Sequence, residues 1–344
     1  MTRRKAISTM TAYAALGISR AQQQTPAFRA DVRLITVDVL VQERASGKPL
    51  ELLGPKDFVL LDDGNRREIV FFEIETTPLD IVFVPYLAGQ LNTVKDYNAF
   101  IGGWRAAFAT FRDQDRAGLV RSLRDADNIA LTEDRDRVRD AIRRPSGRAY
   151  PPVGYGGRLY DTLCLAATLF PAAAGDRRRR AVIAITDDAE KDSKASIEDL
   201  TRAFLTADCT LNIVLLATAI HRRLTIGRGG PWPIPGRQRD IGGGIPEGAS
   251  CREAMAATGG LFIPGDEMET ALPDLIRKTS LRYLLGFYAD PNTGPGFHTL
   301  AIRLSEEASR QYPDAEIRHR KGYYVESGTA SRLYQSATLP SSAS

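Results

Sequence analysis

Histidine, cysteine and long apolar runs are scarce in this 344-residue sequence, and each scarcity argues against a class of chemistry. The three histidines belong to no H-E-x-x-H motif, and neither a G-x-S-x-G elbow nor a G-x-x-x-x-G-K-[ST] phosphate loop occurs. The three cysteines form no C-x-x-C pair, which argues against structural zinc and against a disulfide framework. No apolar run reaches the ~18 residues that a membrane span needs. We therefore predict a protein without enzymatic activity, cofactor or membrane span.

A basic excess is also absent once the first residues are set aside. Four of the 46 basic side chains lie in residues 1–21, where there is no acid, so 42 basic and 42 acidic side chains remain. A chain of near-zero net charge has no general attraction for polyanions, so we expect no nucleic-acid partner.

The first residues resemble an export signal. A basic start at Arg3, Arg4 and Lys5 precedes a modestly apolar stretch and the small residues around Ala21. This pattern predicts a signal peptide over residues 1–21, with the twin-arginine route as one possibility. We therefore expect an exported protein, either periplasmic or extracellular.

The two ends of the remaining chain have the period of β-strands. In residues 28–78 the pattern predicts strands at 57–61 and 68–72 joined by a hairpin turn at 62–65, and strand period returns over residues 280–325. Each segment alone would expose an apolar face, so we predict that the two pair into one small β-sandwich. Residues 326–344 are rich in Ser, Thr and Ala, which predicts a disordered tail.

Residues 79–279 alternate apolar strands with amphipathic helices. Strands are predicted at 79–84, 116–122, 180–186 and 211–217, and helices at 92–111, 135–143, 159–170 and 197–207. This alternation predicts an α/β fold with a doubly wound parallel sheet, in which ligands bind beyond the carboxyl ends of the strands. Tyr86 and Asp187 should lie at that edge.

Three further stretches leave alternatives open. The Gly-, Pro- and Arg-rich insertion 218–248 is either a mobile surface segment or a binding loop anchored by Trp232. The basic run 177–180 is interpreted as a solvated connection rather than a phosphate site, and the acidic run 187–192 as a turn and helix start rather than a calcium loop. Cys164 and Cys209 are interpreted as small buried hydrophobic residues, whereas Cys251 is either a thiol or a disulfide partner.

Several short motifs occur in a fixed order along residues 28–325. They are Asp57-Phe58-x-x-x-Asp62-Asp63-Gly64, Pro78–Val84, Leu159-Tyr160-Asp161-Thr162-Leu163, Ala181–Asp188, Tyr283–Tyr288 and Arg320–Tyr324. In this order they resemble the von Willebrand factor type A-related domain family that is common in acidobacterial genomes. The resemblance implies a type A-like domain over residues 79–279.

The resemblance also implies a degenerate metal-ion-dependent adhesion site. Complete type A domains bind the metal through Asp-x-Ser-x-Ser, a Thr and a further Asp. The corresponding positions in this chain are Tyr86, Ala88, Gln90, Gly157 and Asp187. Because Mg²⁺ demands oxygen ligands in near-octahedral geometry, the single remaining carboxylate implies that the metal has been lost.

These inferences predict a non-catalytic protein–protein interaction protein of the adhesion or scaffold type. The candidate partner-binding surface consists of Tyr86, Gln90, Arg158, Asp187, Asp188 and Trp232. Two alternatives stay open: an adhesion protein with an atypical Mg²⁺ or Mn²⁺ site at Asp187, and an envelope-associated hydrolase whose polar residues converge only in the fold.

Overall fold

Most of the predicted α/β and β segments can be followed in the structure. A computed structural model describes residues 33–74, 77–86, 102–121, 123, 128–143, 158–171, 178–186, 190, 192–215, 251–264, 268–290 and 292–325. The predicted signal peptide, the insertion 218–248 and the predicted tail therefore lie outside the described residues. Within the described residues, no helix combines the length and the apolar character that crossing a membrane requires.

Fourteen strands, seven α-helices and one 3₁₀ helix, Pro55–Asp57, are described. The strands are β1 Leu34–Glu43, β2 Phe58–Asp62, β3 Asn65–Arg67, β4 Phe71–Ile74, β5 Leu79–Tyr86, β6 Arg116–Leu119, β7 Ile129–Thr132, β8 Arg179–Thr186, β9 Thr210–Leu215, β10 Phe262–Pro264, β11 Tyr283–Tyr288, β12 Gly296–Leu304, β13 Ala315–Arg318 and β14 Gly322–Val325. The helices are α1 (102–108), α2 Arg135–Arg143, α3 Leu159–Ala167, α4 Ile197–Thr206, α5 Arg252–Ala257, α6 Met268–Ser280 and α7 Glu306–Gln311.

The central sheet has six strands in the order β10-β9-β8-β5-β6-β7. Numbered from β5, this is the doubly wound order 3-2-1-4-5-6. The ladders are parallel except between β6 and β7, which is antiparallel and differs from the all-parallel prediction. The reason is the short connection: a parallel return needs a crossover of a dozen or more residues, and β6 and β7 are closer than that. This mixed α/β arrangement is compatible with a von Willebrand type A-like fold.

Each face of the central sheet is covered by helices. Along β5, Ile81 and Phe83 enter a core shared with α1, α2 and α6, whereas Val82 and Val84 enter a core shared with α3, α4 and α5. Alternate side chains of a strand point to opposite faces, so burial on both faces explains the continuous apolar run.

The two flanking segments pair with each other in antiparallel sheets. One sheet has the order β13-β1-β11-β4 and the other β14-β12-β2-β3. Ile35, Val37 and Val39 of β1 share a buried cluster with Leu60 of β2 and Ile302 of β12. The opposite face of β1, which includes Leu40, contacts the core of the central sheet.

The hairpin turn at 62–65 is confirmed, but the strand after it differs from the prediction. Asp63 and Gly64 have φ values of 47° and 79°, as a two-residue turn of type I′ requires. The return strand is β3, which pairs with β2, and the chain then changes sheet so that β4 pairs with β11. The predicted strand 68–72 is therefore wrong in its bounds, because residues 68–70 connect the polar return strand β3 in one sheet to β4 in the other.

The interpretation of residues 177–180 as a solvated connection is wrong for the described arginines 178–180. Arg179 is 2% exposed and Arg180 is 7% exposed. The Arg179 guanidinium donates to Asp38 Oδ1 at 2.8 Å, to the Ser280 carbonyl at 2.5 Å and to the Arg282 carbonyl at 2.6 Å. Protein acceptors at the start of β8 thus make the hydrogen bonds that water would otherwise make with this arginine.

We expect Asp80→Asn to destabilise the protein strongly. Asp80 is fully buried and accepts from Arg116 Nε at 2.9 Å, Arg116 Nη2 at 2.6 Å and Arg178 Nε at 2.7 Å. The substitution leaves two arginines without their carboxylate, at an expected cost of about 3–5 kcal/mol in urea unfolding. Asp136→Asn is the matched control, because Asp136 pairs with Arg139 while 75% exposed, and it should cost about 1 kcal/mol or less. Equal losses for both variants would contradict the prediction.

We expect the pair of His298 and Asp63 to make stability depend on pH. His298 Nδ1 lies 2.7 Å from Asp63 Oδ2, and Nε2 lies 2.9 Å from the Gly294 carbonyl. Burial alone would lower the pKa of His298, but these two acceptors raise it above its ordinary value. A raised folded-state pKa gives stabilisation that is complete below the unfolded pKa of about 6.5 and is lost as pH rises through the folded value.

Urea unfolding of the wild type and of His298→Gln should therefore differ more at pH 5.5 than at pH 8.5. The pKa of Asp63 is lowered, chiefly by its hydrogen bond with His298, so both test values lie on the ionised side of that carboxyl. Asp63→Asn should remove most of the pH-dependent difference. A difference that grows toward pH 8.5 would contradict this assignment.

Candidate functional site

The candidate site begins at the carboxyl edge of the central sheet, where two neighbouring parallel strands end together. Tyr86 at the end of β5 pairs in register with Thr186 at the end of β8. From β5 the chain continues to β6 on one side of this strand pair, and from β8 it continues to β9 on the other side. This edge is therefore the topological switch point, where doubly wound sheets bind ligands. Asp187 follows Thr186 in the sequence and lies outside the described residues.

The Tyr86 ring is partly buried rather than standing clear of the sheet. It packs against the core cluster that α3, α4 and α5 share with the sheet, on the same face as Val82 and Val84. Thr186 beside it is fully buried. Apolar packing therefore holds the tyrosine in place.

Of the predicted site residues, the structure describes Tyr86 and Arg158. The others lie outside the described residues: Ala88, Gln90, Gly157, Asp187, Asp188 and Trp232.

Arg158 occupies the N-cap position of α3. Its carbonyl accepts from the Thr162 backbone N–H at 3.0 Å and from the Thr162 hydroxyl at 2.8 Å. Its guanidinium donates through Nε to Asp161 Oδ2 at 2.6 Å, and its side chain remains 42% exposed. The residue thus combines a structural contact with an exposed positive charge.

A reciprocal set of hydrogen bonds fastens the chain after β8 to the start of α3. Glu190 Oε2 accepts from the Tyr160 N–H at 2.9 Å and from the Ser193 hydroxyl at 2.8 Å, while Ser193 Oγ accepts from the Asp161 N–H at 3.2 Å. The first N–H groups of a helix have no partner within the helix, and these side chains supply one.

The Asp161 carboxylate in turn accepts hydrogen bonds from backbone N–H groups of the segment after β8. Its Oδ1 accepts from the Ala195 N–H at 2.9 Å, and its Oδ2 accepts from the Lys194 N–H at 3.1 Å as well as from Arg158. Burial opposes ionisation, but these donors together hold the pKa of Asp161 below its ordinary value. Both carboxylate oxygens are therefore engaged in ordering the segment.

Sequence reasoning missed this network. Asp161 entered only as part of a family-like motif, and the acidic run 187–192 was interpreted as a helix start. Helix α4 instead begins later, capped by the Ser196 hydroxyl, which accepts from the Asp199 N–H at 3.1 Å. Glu190 caps α3, which precedes it by about thirty residues in the sequence. A Glu three residues before a Ser was the only local signal, and it does not indicate which helix is capped.

The described residues offer little nucleophilic or metal-binding chemistry at this edge. No group of three or more His, Cys, Asp or Glu side chains within them is arranged to hold a metal ion. The nearby Cys164 has its pKa raised to about 12 by burial and by the charges of Asp161 and Asp199, so its thiol stays protonated at neutral pH. All three cysteines are thiols, and Cys209 and Cys251 are buried.

Comparison with known proteins adds little to this geometry. The chain matches no protein-family model and no curated protein. Among solved structures it is similar to the conserved hypothetical protein BatB from Bacteroides thetaiotaomicron, at 13% identity over 59% of this chain and 98% of that one, with a TM-score of 0.37.

Two structures of proximal thread matrix protein 1 from the mussel byssus are also similar. Their identities are 14% and 13% over 64% and 67% of this chain, with TM-scores of 0.38 and 0.37. This chain spans 50% of the length of the mussel protein. Similarity at this level says nothing of function, which must be argued from the chain's own residues.

We expect Asp161→Asn to loosen the segment after β8. An uncharged amide cannot accept the same set of hydrogen bonds, so the loss should be about 1–3 kcal/mol in urea unfolding. Amide exchange should accelerate at Lys194 and Ala195. Because the folded-state pKa is depressed, this stabilisation is present above pH ~3.9 and is lost as pH falls through the folded value. Glu198→Gln, on the exposed first turn of α4, is the control and should change neither readout. Unchanged exchange at Lys194 and Ala195 in Asp161→Asn would refute the assignment.

Proposed function

We propose that this chain is an exported, non-catalytic protein–protein interaction protein of the adhesion or scaffold type. In this proposal its type A-like domain has lost the metal site, and binding uses the carboxyl edge of the central sheet. The observation that carries the proposal is Tyr86, which ends β5 beside Thr186 at the topological switch point. The family resemblance puts the first metal-binding Asp at this position, and a tyrosine packed against the core cannot supply that carboxylate.

The ordered segment beside Tyr86 supports a role in binding. The hydrogen bonds among Asp161, Glu190 and Ser193 hold the chain after β8 against α3. A surface that is already ordered loses less conformational entropy when a partner binds. Arg158, exposed at the same helix start, supplies a donor for a carboxylate or carbonyl of the partner.

The antiparallel sheets and the N-terminal residues complete the proposal. We propose that the sheets β13-β1-β11-β4 and β14-β12-β2-β3 form the predicted small β-sandwich, supported by their shared core of Val37, Leu60 and Ile302. Export would use the signal-like residues 1–21. No described polar constellation favours the hydrolase alternative over this one.

We expect calorimetric titration of Mg²⁺ and Mn²⁺ into residues 22–344, stripped beforehand with chelator, to give no binding heat. The melting temperature should be the same in chelator and in excess metal. Micromolar binding that Asp187→Ala abolishes would overturn the proposal and return the chain to the metal-dependent adhesion class.

A variant in which the family's metal ligands are restored tests the same alignment. Tyr86→Asp, Ala88→Ser, Gln90→Ser and Gly157→Thr together restore the family's oxygen ligands around Asp187. This variant should acquire Mg²⁺ binding, and the same variant carrying Asp187→Ala should not. A folded quadruple variant that binds no metal would contradict the assignment of Tyr86 to the lost site.

A further inference from the structure

A group of buried arginines lies where the central sheet meets the sheet β13-β1-β11-β4, far from the candidate edge in the fold. Arg318 of β13 pairs with Leu40 of β1, and Arg282 immediately precedes Tyr283, which pairs with Val39. Arg282 and Arg318 therefore flank Leu40 on neighbouring strands. The Arg282 Nη2 donates to the Gly259 carbonyl at 2.9 Å and Arg318 Nη1 to the Gly260 carbonyl at 3.4 Å.

Several donors of these arginines are buried without an acceptor. Arg282 is fully buried, and both its Nε and its Nη1 lack a hydrogen-bond partner among the described residues. The Nε atoms of Arg318 and Arg320 are also buried without a hydrogen-bond partner among the described residues. Buried donors are ordinarily satisfied by protein, by ordered water or by an ion, so these donors are available to an acceptor that is not part of the chain.

The carboxylates of this region already have partners. Asp38 binds Arg179 at 2.8 Å, Asp208 binds Arg320 at 2.6 Å and Glu316 binds Arg318 at 2.7 Å. Each of these three acids is matched by one arginine. Arg282 and Arg180 have no carboxylate of their own, and both donate only to backbone carbonyls among the described residues.

The neighbouring histidine, His319, is neutral and leaves the charge balance of this region unchanged. His319 Nδ1 donates to the Arg320 carbonyl at 2.6 Å, and its Nε2 accepts from the Ile302 N–H at 3.1 Å, which identifies a neutral imidazole. Burial lowers the pKa of Arg282 to about 10, which still leaves the guanidinium charged at neutral pH. Positive charge therefore exceeds negative charge at this joint.

We propose that the joint binds one small monovalent anion of chloride size between Arg282 and Arg318. A spherical anion accepts N–H groups from several directions at once, which suits orphaned Nε and Nη1 donors of two different guanidiniums. The adjacent turn, whose carbonyls accept from both arginines, packs closely on its neighbours. A Cβ at Gly259 would collide with the backbone of His319, and one at Gly260 with the Leu211 carbonyl oxygen.

The first test is the dependence of the melting temperature on chloride at constant ionic strength, with gluconate as the replacement anion. The proposal predicts a rise of about 1–2 °C for each fivefold increase in chloride above the dissociation constant. Bromide and nitrate should replace chloride, whereas sulfate should not. A melting temperature that follows ionic strength alone, whatever the anion, would overturn the proposal.

The second test assigns the site. Arg282→Met should abolish the chloride dependence, whereas Arg202→Met, which removes an exposed arginine that stacks on Tyr324, should keep it. If Arg282→Met fails to fold, the wild-type protein crystallised with bromide decides the matter. An anomalous bromide peak between Arg282 and Arg318 supports the site, and water alone at that position overturns it.

Discussion

The side chain on which the rest of this structure depends is Arg179, the first residue of β8. Its three nitrogens reach Asp38 in the middle of β1, the carbonyl that ends α6 and the carbonyl just before β11. Strand β8 is central to the parallel sheet and β1 to one antiparallel sheet, so one guanidinium sets the position of both. Breaking a buried charge pair is costly, so the three hydrogen bonds of Arg179 strongly favour this arrangement of the two sheets.

Strand β8 connects that joint, at Arg179, to the candidate edge, at Thr186. All residues of this strand are buried, and its register against β5 runs without a shift from Leu79 beside Arg179 to Tyr86 beside Thr186. Beyond the strand, Glu190 and Asp161 fasten the chain to α3. A contact at one end of the sheet therefore determines where the residues at the other end lie.

Local patterns in the sequence predict the elements well because each element leaves its own period in the chain. Helix α2 was predicted over 135–143 and has those bounds, and the predicted helix 197–207 ends at Thr206. Long-range partners leave no such trace. The acceptors of Arg179 lie more than 100 positions away in the sequence, so a basic run that looks solvated is in fact buried.

The same distinction applies to the candidate site. The position of Tyr86 at the sheet edge follows from the apolar run before it, whereas the role of Asp161 depends on a segment some thirty residues later. A metal site needs carboxylate oxygens directed at a shared point, and both oxygens of Asp161 are instead directed at backbone N–H groups and Arg158. Hydrogen bonds within the chain thus order the described part of this edge. An edge ordered in this way presents a partner with side chains that are already held in place, which is the preorganisation that the proposed function requires.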